Sequence, residues 1–322
     1  MRAIQITEFG GPEVLVPRQL PEPTPGRGEV LLAVRAAGVN YADTHQTEDS
    51  YLAPTSLPYV PGAEVVGLTP QGRRVVSFVG GGGYAERVAA PGSGVFEVPD
   101  GVTDGEALAL TLQGATAWHL LRTSAHLEPG ETVVVLAAAG GVGSLAVQLA
   151  RRWGAGRVIG TASTPEKRAL AERLGADVVV DSGTDDLGAA LREANGGRRV
   201  DVVLEMVGGP TFDSCLAAIA PFGRLVTYGM AGRRTARPVE PQQLLATSAA
   251  VIGFWLAHCA QREGMLATPV GELLDLAAAG EIEAVVGGTY PLDDARRAHE
   301  DLLGRGTTGK LVLEVGDPED HT

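Results

Sequence analysis

A chain of 322 residues is longer than a single hydrophobic core usually serves, so its length predicts two domains. Hydrophobic residues make up 44% of the chain and charged residues 20%, which is typical of a globular protein and argues against extended disorder. A net charge of −13 repels the phosphates of nucleic acids and of anionic membranes, so we expect neither as a partner.

The two cysteines, Cys215 and Cys259, stand far apart, so they can form neither a disulfide framework nor a cysteine-rich zinc site. Glu8 lies where a signal peptide would have its apolar core. The most apolar later stretch, residues 244–257, is shorter than the ~20 residues that a membrane helix needs. The sequence therefore predicts a cytoplasmic protein without a membrane segment.

The part of the chain up to about residue 110 contains short β-rich runs that are interrupted by glycine and proline. This pattern predicts a mostly antiparallel module. Its predicted strands are Val30–Val34, Val65–Gly67, Val75–Phe78 and Arg87–Ala89.

From Thr132 onward, apolar strands alternate with helical stretches, which is the pattern of a parallel sheet with helices on both faces. The predicted strands are Val133–Leu136, Val158–Thr161, Val178–Val180, Val202–Leu204, Leu225–Tyr228 and Val251–Leu256. An α/β protein with this order of elements is expected to form a doubly wound Rossmann domain.

The chain after Leu256 predicts a helix over 270–279, a short run at 285–286, a helix over 292–303 and a last strand over 310–315. This tail has no core of its own, so we expect it to return and complete the first module. The predicted domains are therefore residues 1–122 with 258–322, and residues 123–257. Residues 316–322 are expected to be frayed.

A glycine turn follows the first strand of the predicted Rossmann domain. Its motif residues are Ala138, Ala139, Gly140, Gly141, Val142 and Gly143, and an amphipathic helix follows. Strand, glycine turn and helix together indicate a dinucleotide site, with Gly140 allowing close approach of a pyrophosphate and Gly143 allowing close helix packing. Ala138 replaces the first glycine of the usual G-x-G-x-x-G pattern.

The second strand of this domain ends without the acidic residue that would bind the ribose hydroxyls of NAD. Ser163, Lys167 and Arg168 follow instead, and they can donate hydrogen bonds and positive charge to a 2′-phosphate. The sequence therefore predicts NADPH as the cofactor. The alternative is that Lys167 and Arg168 only face solvent, paired with Glu166.

Other catalytic signatures are missing from the sequence. None of the six histidines lies in an H-E-x-x-H or comparable metal-ligand spacing. No G-x-S-x-G motif precedes a helix, so a serine hydrolase is not supported.

Segments along the whole chain match one known family. They are residues 1–4 and 8–15, residues 28–31, residues 36–43, the glycine turn, and the tail from Tyr290-Pro291-Leu292 to Gly309-Lys310. On these segments the chain resembles the zinc-independent quinone oxidoreductase branch of the medium-chain dehydrogenase/reductase superfamily. The resemblance implies a mostly β, GroES-like catalytic domain beside the Rossmann domain, with the cofactor in the cleft between them.

The resemblance also allows the zinc-ligand positions of the superfamily to be located in this chain. Zinc-binding members carry a cysteine where this chain has Asn40, and a histidine in a Gly-His-Glu motif that reads Gly62-Ala63-Glu64 here. The segment of the third ligand, residues 112–114, has no cysteine either. Asn, Ala and Leu cannot replace these ligands and hold zinc, so we expect no metal and no metal-bound alkoxide chemistry.

The resemblance makes Asn40, Asp43 and Tyr51 the candidate catalytic residues and places Thr116 near the nicotinamide. Further residues are expected to line the approach to the nicotinamide: Val207, Gly208, Tyr228, Gly229, Phe254, Trp255 and Leu256. For Phe254 and Trp255 the alternative is packing within the sixth strand. Relatives often pair through that strand, so a homodimer is expected.

Without zinc, hydride transfer from the nicotinamide needs orientation and a dry site from the protein. A quinone suits such a site because its reduced oxygens can take protons from water, so NADPH-dependent quinone reduction is the predicted function. An activated alkene (an enal, an enone or an enoyl thioester) is the alternative acceptor, and Tyr51 is then the candidate proton donor. A non-catalytic NADPH-binding protein is the third hypothesis.

Overall fold

The computed structural model describes residues 1–316, and the remainder of the tail for which fraying is predicted, residues 317–322, lies outside the described residues. The chain divides into two units. The first unit comprises residues 1–113 and the chain from Glu263 onward, and the second comprises Gly114–Arg262. The predicted domain borders at residues 122 and 257 fall within short helical segments of the second unit, Leu120–Ser124 and Leu256–Gln261.

The strands are numbered in chain order. They are β1 (Arg2–Gln5), β2 (Val16–Gln19), β3 (Glu29–Val39), β4 (Glu64–Leu68), β5 (Arg74–Phe78), β6 (Arg87–Pro91), β7 (Val95–Glu97), β8 (Thr132–Val135), β9 (Arg157–Ala162), β10 (Val178–Asp181), β11 (Val200–Glu205), β12 (Ile219–Thr227), β13 (Ala250–Gly253), β14 (Val286–Pro291) and β15 (Lys310–Glu314).

The α-helices are numbered in the same way. They are α1 (Tyr41–Thr47), α2 (Asp104–Leu108), α3 (Ala115–His119), α4 (Gly141–Arg152), α5 (Pro165–Arg173), α6 (Leu187–Ala194), α7 (Gly209–Ala218), α8 (Pro241–Thr247), α9 (Ala267–Ala278) and α10 (Ala295–Leu303). Short 3-10 segments lie at Pro12–Val14, Gly92–Gly94, Leu256–Gln261 and Leu292–Asp294, and π-helical turns at Ala109–Gly114 and Leu120–Ser124. Within residues 1–316, no helix combines the length and apolar character needed to cross a bilayer.

The first unit is built on a seven-stranded sheet with the order β14-β15-β3-β4-β5-β7, in which β6 also pairs with β3. The long strand β3 is its centre, because β4, β6 and β15 all pair with it in antiparallel register. Apolar side chains from both ends of the chain form its core, including Ile4, Leu32, Val65 and Leu311. The tail thus supplies β14 and β15 to the sheet of the first unit.

The second unit contains a six-stranded parallel sheet with the order β10-β9-β8-β11-β12-β13. The chain winds outward from β8 in both directions, as in a doubly wound nucleotide-binding domain. Because helices cover both faces, the central strands carry continuous apolar runs such as that of β8, which is buried at every position. The predicted doubly wound fold and the predicted mostly β domain are both confirmed.

The sixth strand of this sheet is shorter than the sequence predicts. The prediction extends from Val251 to Leu256, whereas β13 ends at Gly253, paired with Thr227. Its neighbour β12 ends at Thr227, so only one further hydrogen bond forms, from Phe254 N to the Thr227 carbonyl at 2.9 Å. Leu256 begins a 3-10 segment, and Phe254 and Trp255 lie beyond the strand.

Candidate functional site

The glycine turn joins β8 to α4 in the second unit and is anchored on the neighbouring strand β9. The backbone N–H of Ala138 donates to the Thr161 carbonyl at 2.9 Å, and that of Ala137 donates to Thr161 Oγ1 at 3.3 Å. Gly140 precedes the first residue of α4 in extended conformation, and its N–H closes the turn onto the Ala137 carbonyl at 2.8 Å. The backbone N–H groups at the start of α4 thus form a helix N-terminus of the type that binds phosphate.

The glycines of this turn have two different environments. A Cβ on Gly143 would lie 2.9 Å from the Ala138 Cα and closer still to the Ala137 carbonyl, so no side chain fits between helix and turn. A Cβ on Gly140 would have the Ala137 carbonyl oxygen as its nearest atom, at 3.2 Å, and the Ala137 Cβ at 3.9 Å. The Cβ position of Gly140 is therefore less crowded than that of Gly143, which fits a pyrophosphate approaching the backbone of Gly140.

The end of β9 presents hydroxyl and basic groups. Ser163 is exposed, and Thr164 caps α5 by accepting the Lys167 N–H on its hydroxyl at 3.3 Å. Lys167 therefore stands in the first turn of α5, where a cation is unfavourable for the helix dipole and an anion is favourable. Partial burial lowers the pKa of Lys167. A lysine in this position is better explained by an anionic ligand than by helix stability.

Arg168 makes an ion pair that the sequence did not predict. Its guanidinium lies 3.0 Å from the carboxylate of Asp181 at the end of β10. The alternative prediction was that Arg168 faces solvent and pairs with Glu166, its neighbour on the same helix turn. Arg168 is thus paired with Asp181, and Lys167 and Arg168 are both candidates for binding a 2′-phosphate.

Glu205, at the end of β11, is a residue that sequence analysis missed. Its carboxylate is buried and accepts the backbone N–H groups of Val207 and Gly208, each at 2.7 Å. Burial raises the pKa of Glu205 although these two hydrogen bonds oppose the shift. Gly208 has a φ of 79°, a conformation that a side chain would strain. Glu205 thus fixes the loop in which Val207 and Gly208 were predicted to line the nicotinamide.

The remaining predicted cofactor residues lie in the second unit. Tyr228 and Gly229 directly follow β12, where the Tyr228 N–H donates to the Glu205 carbonyl at 3.0 Å. The ring of Phe254 stacks on that of His119, with ring centroids 5.6 Å apart. Because Phe254 and Trp255 follow β13 rather than belong to it, packing within that strand does not explain them. Thr116 is buried in α3.

Asn40 lies in the first unit, directly before α1, in a cluster of buried polar side chains. Its Oδ1 accepts from Lys310 Nζ at 2.9 Å and its Nδ2 donates to Glu64 Oε1 at 3.0 Å. Lys310 and Glu64 form an ion pair in which both side chains are completely buried. Glu64 Oε2 also accepts the N–H of Leu112 at 2.8 Å. Glu64 and Lys310 both belong to motifs of the resemblance, but no pattern in the sequence indicates that they meet.

Asp43 belongs to a second buried cluster in the same unit. Its Oδ2 accepts the Asn40 N–H at 2.8 Å and the Tyr84 hydroxyl at 3.0 Å. The Tyr84 oxygen lies 3.1 Å from Nε2 of His299. Burial raises the pKa of Asp43 to about 6 and, likewise by burial, raises that of Tyr84. Asp43 is fully buried, so its visible role is to hold the backbone at Asn40 rather than to meet a substrate.

Tyr51 lies after α1 and is half-buried. Its ring faces that of His45, with centroids 6.4 Å apart, and Nδ1 of His45 lies 2.8 Å from Ser50 Oγ. The structure therefore brings a tyrosine and a histidine together near the end of α1, but it does not bring Tyr51 to Asn40 by any hydrogen bond among the described residues.

The residues at the family's zinc-ligand positions do not fit zinc. Asn40 offers an amide, Ala63 has no ligand atom, and the ammonium of Lys310 lies against Asn40 and Glu64. A cation fixed at this point would repel a metal ion. Within residues 1–316, no group of three or more His, Cys, Asp and Glu side chains is arranged to hold a metal.

We expect His299 to make the stability of the protein depend on pH. Burial lowers the pKa of His299 from 6.5 to about 4, so the fold holds a neutral imidazole. Its contribution to stability is complete above pH 6.5 and is lost progressively as the pH falls from 6.5 to about 4, because over that range the unfolded chain binds a proton that the folded chain does not. His299→Gln removes this loss, so the variant should gain about 1.4 kcal/mol per pH unit relative to the unmodified protein between pH 6.5 and about 4.

Urea unfolding of both proteins at about pH 7.5, 6.5 and 5.5 measures this difference. Asp43 acts in the opposite sense, because its raised pKa gives a contribution that is lost as the pH rises through about 6. The comparison at each pH reduces that contribution, since both proteins contain Asp43, which is connected to position 299 through the Tyr84 hydroxyl. A stability difference that stays constant from pH to pH would contradict the prediction.

Comparison with known proteins gives two family matches. Residues 26–100 match the alcohol dehydrogenase GroES-like domain, and residues 141–269 match the zinc-binding dehydrogenase family. Together with the doubly wound sheet and its glycine turn, these matches define a medium-chain dehydrogenase/reductase.

Individual relatives indicate the branch of this superfamily. A quinone oxidoreductase of Mus musculus is 33% identical, over 97% of this chain and 97% of the relative. A mycobacterial protein whose structure was solved with NADPH is 40% identical and covers 98% of this chain and 99% of its own, with a TM-score of 0.91. The quinone oxidoreductase of Thermus thermophilus, also solved with NADPH, is 38% identical over 98% of this chain and 100% of its own, with a TM-score of 0.88. The chain belongs to the quinone oxidoreductase branch of this superfamily.

Proposed function

We propose that this protein is an NADPH-dependent quinone oxidoreductase that works without zinc. The observation that carries the proposal is that two features occur in the same chain. One is a glycine turn for a pyrophosphate, followed by Lys167 in the first turn of α5. The other is the amide of Asn40 at a position where zinc-binding relatives have a metal ligand. The names of the relatives support the same activity, and solved relatives hold NADPH.

The second unit holds the cofactor. The turn at Gly140 and the N-terminus of α4 bind the pyrophosphate, Ser163 and Lys167 bind the 2′-phosphate, and the loop fixed by Glu205 positions the nicotinamide. NADPH, when bound, supplies a hydride from C4 of its nicotinamide.

The first unit holds the acceptor. Asn40 donates a hydrogen bond to a quinone oxygen and favours the negative charge that develops there during reduction. The quinone gains two electrons and a proton with the hydride, and water supplies the second proton to give the hydroquinone. Asp43 keeps the backbone of Asn40 in place through its bond to the Asn40 N–H.

Turnover experiments test this proposal directly. We expect loss of NADPH absorbance on mixing with simple quinones, at an unchanged rate after treatment with a chelator, and no stoichiometric zinc by elemental analysis. One zinc per chain, with activity that is lost on chelation and restored by zinc, would show the proposal to be wrong. Tight NADPH binding without turnover of any acceptor would support a non-catalytic protein.

Reduction of activated alkenes is the second candidate, and the pairing of Tyr51 with His45 favours it. An alkene takes the hydride at Cβ and needs a proton at Cα, which a tyrosine beside a histidine can donate. If this is the physiological reaction, Tyr51→Phe should lower kcat at least tenfold with an enal and leave kcat with a quinone unchanged. Equal small effects on both acceptors would remove the proton-donor role.

We also propose a homodimer. Strand β13 lies at the edge of the six-stranded sheet, so its outer backbone groups are free to pair with β13 of a second copy. Light scattering should give twice the mass of one chain. A monomer at working concentration would contradict this.

A reducing compartment, the cytoplasm, agrees with the state of the cysteines, and we propose it on that basis. Cys215 and Cys259 are both free thiols and both buried. Cell fractionation would test this assignment.

A further inference from the structure

The ion pair of Lys310 and Glu64 is an unusual structure for the middle of a β-domain. Both side chains are 0% exposed, and they belong to β15 and β4 on either side of β3. Gly38 of β3 leaves the space for them, since a Cβ there would lie 2.7 Å from Lys310 Nζ. A buried ion pair seldom stabilises a fold more than apolar side chains of similar size would. Its presence is better explained by the side chain that it holds in place, that of Asn40.

The pair holds the amide of Asn40 in one orientation. Lys310 Nζ and, at 3.4 Å, Gln113 Nε2 both donate to Asn40 Oδ1, while Glu64 accepts one of the two Nδ2 hydrogens. These contacts would be lost if the amide turned over. One Nδ2 hydrogen of Asn40 remains for a ligand, because no second acceptor bonds to Nδ2 among residues 1–316.

The surroundings of Asn40 also suit an oxygen ligand. The ammonium at Asn40 Oδ1 polarises the amide and strengthens its N–H as a donor. Beside it, Gln113 Oε1 is buried and has no hydrogen-bond partner among the described residues, so it can accept a hydroxyl. The cluster therefore offers a donor for a carbonyl oxygen and an acceptor for the hydroxyl formed from it.

We propose that Lys310, paired with Glu64, is a positioning residue that fixes Asn40 toward the carbonyl oxygen of the acceptor. The inference rests on the proposed function only for the identity of the acceptor. Lys310 supplies a fixed positive charge to a site in which the ligands of a metal are missing, and it acts through the amide of Asn40 rather than by touching the acceptor.

A double substitution separates positioning from folding. Lys310→Met alone leaves the Glu64 charge buried without a partner and should destabilise the fold, as should Glu64→Gln alone. The double variant, Lys310→Met with Glu64→Gln, buries no unpaired charge, so its thermal midpoint should return close to that of the unmodified protein. Its kcat for quinone reduction should remain at least tenfold lower, with an unchanged Kd for NADPH.

The matched control is Arg35→Met, on the same strand as Gly38. It removes the ion pair in which Arg35 Nε lies 2.9 Å from Asp104, away from Asn40. It should lower stability and leave kcat unchanged.

Binding of a quinone in the absence of NADPH, followed by tryptophan fluorescence, gives a readout that does not depend on turnover. The double variant should bind at least fivefold more weakly than the unmodified protein and than Arg35→Met. If the unmodified protein binds quinone but does not reduce it, the proposed function fails while this comparison still decides the role of Lys310. Full recovery of kcat and quinone binding together with stability in the double variant would overturn the inference, and so would an unmodified protein that binds no quinone.

Discussion

Replacing Lys167 by alanine is expected to remove most of the preference of this enzyme for NADPH over NADH. A charge-assisted hydrogen bond to the 2′-phosphate contributes roughly 1.5–3 kcal/mol, which corresponds to on the order of tenfold to a hundredfold in affinity. The ratio of kcat/KM for the two cofactors should fall by that factor, through KM for NADPH. NADH lacks the phosphate, so its constants should change little.

Arg168→Ala should also lower the ratio, because its guanidinium, paired with Asp181, is the second cation that follows β9. The double variant should retain little discrimination. Arg173→Ala is the matched control, since it removes a cation from the last turn of the same helix, away from Lys167. Raised salt should weaken NADPH binding more than NADH binding. Equal kcat/KM for both cofactors in the unmodified enzyme would defeat the prediction, as would a double variant with full discrimination.

Alanine substitutions in the glycine turn are also expected to have large effects, which differ between Gly143 and Gly140. Gly143→Ala should destabilise the protein by ~1–3 kcal/mol or more, because its Cβ would collide with backbone atoms of Ala137 and Ala138 that cannot move independently of the sheet. Gly140→Ala should lower the thermal midpoint much less than Gly143→Ala, because Gly140 has an extended backbone and the nearest atom to its Cβ, the Ala137 carbonyl oxygen, lies at 3.2 Å, a tight contact but not a collision.

For NADPH affinity we expect the direct effect at Gly140 rather than at Gly143. The Cβ of Gly140→Ala fills the space through which the pyrophosphate approaches, so we expect the Kd for NADPH to rise about tenfold or more in a fully folded protein. Gly306→Ala is the control, since Gly306 lies in the first unit and no heavy atom outside its chain neighbours lies within 4 Å of its Cβ position. A Gly140→Ala protein with unchanged Kd would show that the phosphate does not pass this side of the turn.

The strands of the second unit could be predicted from sequence because a parallel sheet that is covered on both faces needs continuous apolar runs. The end of β13 could not, since it depends on where its neighbour β12 stops. In the first unit, β2 was missed because all of its side chains are exposed and carry no apolar pattern. The start of α2 had a readable signal, the capping box of Thr103 and Glu106, that the prediction did not use.

Some residues of the candidate site could likewise be predicted from the sequence, and others could not. Gly140 and Gly143 follow from a local motif, and their geometry agrees with the roles that the motif implies. The bond between Lys310 and Asn40 joins residues 270 positions apart, and no local pattern encodes it. A lysine at the start of an apolar strand is usually interpreted as the solvated end of that strand. Only the pairing of β15 with β3 shows that Lys310 is buried beside Glu64.

The position of β15 in the chain also affects the order in which the protein is made. When β3 and β4 have left the ribosome, Glu64 and Asn40 are present, but the whole second unit is synthesised before Lys310 appears. Until then Glu64 lacks the ammonium of Lys310, and it stays in contact with water because burial of an unpaired carboxylate is too costly. The domain that begins first is therefore completed last, and the nascent first unit stays open along the edge of β3 that β15 later covers.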